Sequence, residues 1–60
     1  MKKLNTKDNF INVLVDCKGY SEAEAIETAE EYNNNLEDFI TDCGGGKNEI
    51  KECKEFCGVD

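Results

Sequence analysis

Apolar side chains return twice in this chain at positions i, i+3, i+4 and i+7: Phe10, Val13, Leu14 and Cys17, then Leu36, Phe39, Ile40 and Cys43. That spacing lines one face of an α-helix and constrains the fold more than any other feature of the chain. Two further segments carry related patterns. Ala25, Ile26, Ala29 and Tyr32 make a stripe between the first two, and Ile50, Cys53, Phe56 and Cys57 share a helix face near the end. An all-α fold of four short helices is expected. Ile11, Val13 and Val15 are β-branched and also suit a strand. The stripe favours a helix, and Ile11 and Val15 widen it enough to meet more than one neighbour.

Start and stop signals fit these segments. Thr6 or Asn5 can cap a helix over 6–18 with Asp8 in its first turn, and Gly19 can end it in a left-handed conformation. Ser21 followed three residues later by Glu24 is a capping box, which places a helix start at Glu22. That helix should bury Ala25, Ile26, Ala29 and Tyr32 and turn Glu27, Glu30 and Glu31 to water, and its alanines imply close approach of another backbone. Asparagines 33–35 stop it, because asparagine tolerates the left-handed region and competes for backbone hydrogen bonds. Asn35 can then cap a third helix with Asp38 at its third position. The three glycines at 44–46 end that helix. They lack the spacing and the following Ser or Thr of a phosphate-binding loop, so they are expected to serve as a flexible connector. A fourth helix is expected over 48–57, with Lys47, Lys51 and Lys54 facing outward.

Sixty residues make one domain, and a chain this short buries only about 60% of the surface its unfolded form exposes. The apolar run "FINVLV" is too short for a signal sequence, and no stretch approaches the roughly 20 apolar residues of a membrane span. A soluble, cytoplasmic protein is expected.

Charge is unevenly distributed. Eight acids and no lysine lie between Ser21 and Cys43, while the flanks hold the remaining six acids against all seven lysines. An acidic side disfavours direct contact with nucleic acid or an anionic membrane and favours a protein partner with a basic surface. The absence of arginine and the frequent asparagine fit an AT-rich genome such as that of a phage or bacterium.

A helix, a Gly-aromatic loop at Lys18-Gly19-Tyr20, a capped helix from Ser21 with Ala25-Ile26, an asparagine turn and a short helix from Leu36 follow one another over residues 8–43. This order resembles the ubiquitin-associated (UBA) domain. The resemblance implies a compact three-helix unit over about 6–43, with a C-terminal helix at about 48–57 added in the same 1–60 domain. It also implies a binding surface formed by the loop and the end of the third helix, here Gly19, Tyr20, Ile40 and Cys43. Three departures from the family pattern count against ubiquitin itself: Lys18 in place of the loop methionine, Ala29 in place of leucine, and Phe39 in place of a small residue.

Paired carboxylates are plentiful, but the chain has no histidine or arginine to join them in catalysis. A helical unit of this size rarely encloses a small-molecule pocket of several hundred Å3. No enzyme activity and no cofactor are expected. Cys17, Cys43, Cys53 and Cys57 all lie on apolar stripes and are read as core thiols that bind no metal. Disulfides or a metal site remain alternatives, because Cys17 and Cys43 end helices at one end of the bundle and a folded-back fourth helix would bring more sulfur there. The expected function is that of an acidic adaptor or inhibitor that binds a protein. Glu27, Glu30 and Glu31 steer the partner, and Tyr20 is the candidate anchor, although packing of Tyr20 over the bundle is the competing reading. The alternative function is DNA mimicry by charge alone, blocking a nucleic-acid-binding protein, and a metal- or redox-linked role of the four cysteines ranks below it.

Overall fold

A computed structural model of the chain describes residues 3–59 and contains four α-helices: α1 (Lys7–Lys18), α2 (Glu22–Glu31), α3 (Leu36–Asp42) and α4 (Lys47–Cys57). Among the described residues there is no strand, and no helix is long and apolar enough to cross a membrane. The Cα radius of gyration is 10.3 Å, close to the roughly 10.4 Å expected for a folded domain of this length.

Each helix end follows from local chemistry. Thr6, rather than Asn5, caps α1 by accepting a hydrogen bond from the Asn9 backbone N–H at 3.1 Å. Asn5 serves α3 instead: its side-chain oxygen accepts from the Glu37 N–H at 3.3 Å, beside the bond from the Asp38 N–H to Asn35 at 3.1 Å. Two asparagines distant in sequence thus satisfy two of the N–H groups that a helix start leaves unpaired. At the other end of α1, Gly19 adopts φ 74°, and the Tyr20 N–H turns back to the Leu14 carbonyl at 2.9 Å. The Ser21/Glu24 capping box of α2 is complete. Asn33 and Asn34 take φ of 53° and 63°, the left-handed turn that separates α2 from α3.

The core is built from Phe10, Val13 and Leu14 of α1, Ala25 and Ala29 of α2, Leu36, Phe39 and Ile40 of α3, and Cys53 of α4, with Leu4 packed beneath from the N-terminal segment. The two alanines let α2 lie close along α1, and this is the most extensive helix pairing in the structure. Ile11 and Val15 are half-buried against the core, and α1 meets both α2 and α4. The α4 face is less buried than expected. Cys53 is buried and Ile50 and Cys57 are half-buried, but Phe56 remains 49% exposed because it lies at the edge of the α1/α4 contact. Ile26 is likewise only half-buried, and Lys54 is half-buried rather than fully outward. The core-thiol reading fails for Cys17 and Cys43, which are both exposed: each sits at a helix end, where the stripe runs past the last neighbour able to cover it.

The three consecutive glycines are not interchangeable links. Gly44 has φ 86° and needs no space around it. Gly45 lies where a β-carbon would overlap the Ile40 side chain and the Glu49 carboxylate and would stand 2.9 Å from the Ile40 carbonyl oxygen. Its own N–H donates to that carbonyl at 2.8 Å, which clamps the start of α4 onto the end of α3. Gly46 caps α4 with open space around it and no side-chain hydrogen bond. Gly45→Ala should therefore cost about 1 to 3 kcal/mol, an overpacking penalty, whereas Gly46→Asp should stabilise by about 0.5 to 1 kcal/mol by capping α4. Urea denaturation of both variants checks this, and equal stabilities would contradict the division of roles.

Candidate protein-binding surface

Five of the eight acids of the acidic block lie on α2, and Glu37, Asp38 and Asp42 lie on α3. Glu22, Glu24, Glu27, Glu30 and Glu31 are all exposed, because the opposite side of the helix is held against α1 by Ala25 and Ala29. Glu24 is partly engaged in its cap, accepting from the Ser21 hydroxyl at 3.0 Å. Thr28 donates its hydroxyl to the Glu24 carbonyl at 2.8 Å.

Tyr20 joins this face from the loop. The left-handed turn at Gly19 delivers it, and its ring meets Phe39 edge-on, with centroids 6.2 Å apart and an interplanar angle of 85°. Half of the competing reading is thereby realised, since Tyr20 does pack on the bundle. It is nevertheless only half-buried, and with Glu24, Glu27, Thr28 and Glu31 it lines a shallow depression of about 190 Å3. An aromatic ring flanked by carboxylates has the chemistry to receive a lysine or arginine side chain, which is attracted both by charge and by the ring face. Glu30 is exposed but does not line this depression.

The other expected contact residues divide. Gly19 is exposed and shapes the turn. Cys43 is exposed just beyond α3. Ile40 is fully buried, which corrects its assignment to a binding surface: its side chain closes the core between α3 and the Gly45 turn and is unavailable to a partner.

Sequence reasoning missed a second cleft. Between α1 and α4, Val13, Cys17, Lys18, Glu49, Glu52, Cys53 and Phe56 enclose about 220 Å3. Lys18 and Glu49 form an ion pair across its mouth, both about one-third exposed. Neither residue carries a local signal for this pairing, which depends on how α4 folds back. A larger hollow of about 560 Å3 over Gly44–Glu52 is wide open and lined by glycines and polar side chains, so it offers a partner little apolar surface to bury. Among the described residues, no group of three or more Cys, Asp or Glu side chains is arranged to hold a metal ion. Comparison of the chain with family models, with curated proteins and with solved structures finds no match.

Four groups hold their protons more tightly than usual. Burial pushes the Cys53 thiol up, helped by Cys17 and Glu49, and burial followed by Cys17 does the same for Cys57. The hydrogen bond to Glu49 raises Lys18, and the nearby Asp42 carboxylate raises Tyr32. In each case the folded state binds more protons than the unfolded state once pH passes the ordinary value, so stability falls as pH rises. These contributions are intact below about pH 9 for the thiols, about pH 10 for Tyr32 and about pH 10.5 for Lys18, and are lost as pH rises through the higher folded-state values. Urea unfolding under reductant should show stability declining from pH 8 to pH 10.5, and a flat or rising profile would contradict the assignments. The same reduced protein should contain no stoichiometric zinc and should keep its helical circular dichroism in chelator. One zinc per chain with helix lost on chelation would overturn the metal-free reading.

Proposed function

We propose that the protein is a UBA-like helical module that binds a protein partner with a basic surface and acts by occupying that surface, as an adaptor or inhibitor. The observation that carries this reading is the convergence of Tyr20 with Glu24, Glu27 and Glu31 around one depression. The order of α1, α2 and α3, the left-handed glycine turn and the capped α2 support the UBA-like arrangement, with α4 added against α1 and α3. The recognition element differs from the one the resemblance implies. Ile40 is withdrawn, and the contact moves from the end of α3 to the junction of the Gly19 loop with α2.

Charge and anchor have separable tasks. Long-range attraction between the acidic face and a basic partner speeds encounter and is screened within about 10 Å at 0.1 M salt. A partly desolvated aromatic contact instead slows dissociation. DNA mimicry, the alternative, places all of the energy in the carboxylates and requires no anchor.

The test uses a partner captured from the source lysate on immobilised protein, eluted with salt and purified. Tyr20→Ala should weaken binding by about 1 to 3 kcal/mol, chiefly through faster dissociation. Glu27→Gln with Glu31→Gln should produce a smaller, salt-dependent loss, larger than that from Glu30→Gln alone. Unchanged circular dichroism in each variant separates binding from folding. A silent Tyr20→Ala, together with a steep salt-dependent collapse in the glutamine variants and full competition by DNA, would replace the module reading with DNA mimicry.

A further inference from the structure

The cysteines are not scattered. Cys17 on α1 and Cys53 on α4 line the same cleft of about 220 Å3, although 36 positions separate them in the chain. Cys17 is exposed at the cleft mouth, Cys53 is buried in its wall at 6% exposure, and Cys57 lies one helical turn beyond Cys53. Cys17 helps raise the Cys53 thiol, and its influence there exceeds that of Cys57 on the same helix as Cys53. Cys43 belongs to neither wall of the cleft. Lone buried thiols need no explanation beyond packing. A second, exposed thiol lining the same cleft as a buried one is a different arrangement.

We propose that Cys17 and Cys53 form a dithiol site that reacts with low-molecular-weight disulfides and closes to an intramolecular disulfide bridging α1 and α4. The exposed Cys17 is the entry point. Its thiolate attacks one sulfur of the small disulfide, releasing one small thiol and leaving a mixed disulfide on Cys17. The Cys53 sulfur, as thiolate, then attacks the Cys17 sulfur and expels the second small thiol. Two cysteine thiols are oxidised, one small disulfide is reduced to two thiols, and each protein proton ends on a released thiol. The bridge ties α4 to α1 at the cleft where the ion pair of Lys18 with Glu49 already joins them and where Phe56 is exposed. In a reducing compartment the dithiol is the resting form, and an oxidising excursion closes it.

The full chain is incubated with oxidised glutathione, quenched by alkylation and analysed by mass spectrometry before and after trypsin. Cleavage after Lys18, Lys47, Lys51 and Lys54 leaves the four cysteines on separate peptides, so any link identifies its partners. The expected result is a chain carrying two alkyl groups in place of four, a linked Cys17/Cys53 peptide pair, and a roughly tenfold excess of this species over the Cys17 glutathione adduct, since the resolving thiol is held in place. Cys43→Ser should leave the link intact. Cys17→Ser, an exposed substitution that does not disturb the core, should abolish it. A persistent glutathione adduct on Cys17 as end product, a link from Cys17 to Cys57, any link to Cys43, or four alkylated thiols after exposure would overturn the proposal.

Discussion

The ring of Phe39 is the contact on which the rest of the molecule depends. It lies 5.4 Å from the centroid of Phe10, 5.4 Å from that of Tyr32 and 6.2 Å from that of Tyr20. One side chain therefore joins α1, the Gly19 loop and the end of α2 to α3. Each aromatic pair contributes about 0.5 to 1.5 kcal/mol beyond its buried area. A domain of this length has only about 3 to 9 kcal/mol of total stability, so three such pairs on one ring are a large share of what holds α3 in place. A helix of seven residues has little intrinsic stability in water and exists because of such packing.

The proposed function rests on the same contact. A loop aromatic free to rotate would lose conformational entropy on binding, whereas one leaning edge-on against Phe39 is already placed beside the α2 carboxylates. The alanines of α2 contribute from the other side. By keeping α2 close to α1 they turn its glutamates outward as a continuous face, and the lysines are left on α1, α4 and the N-terminal segment. The molecule consequently has a strongly negative side carrying a half-buried tyrosine and a charge-balanced side carrying the cysteine cleft and Phe56.

Local features were legible in the sequence because local chemistry determines them. The Ser21/Glu24 box, the Asn35 cap, the left-handed Gly19 and the asparagine turn each depend on residues within a few positions of one another. The apolar stripes likewise identified the buried faces of α1 and α3. Features that depend on the placement of distant segments were not legible. A stripe states which face is apolar but not how far a neighbour extends, so Cys17 and Cys43 lie on apolar stripes and yet stand exposed, whereas Ile40, which its stripe places on the buried face, is a surface residue only in the family resemblance. Leu4 and Asn5 belong to no periodic segment, yet one fills the core and the other caps α3. The role of Gly45 arises only when α4 turns back over Ile40, and the pairing of Lys18 with Glu49 has the same origin.

The central claim is that Tyr20 is held at the acidic face before any partner arrives. Proton–proton nuclear Overhauser measurements on the free, reduced protein test it most directly. Cross-peaks from the Phe39 ring to the rings of Phe10, Tyr32 and Tyr20, together with contacts between Tyr20 and the α2 side chains of Glu24 or Thr28, are the expected result. A Tyr20 ring with no contact to Phe39 or to α2 and with the averaged shifts of a mobile side chain would contradict a preformed site.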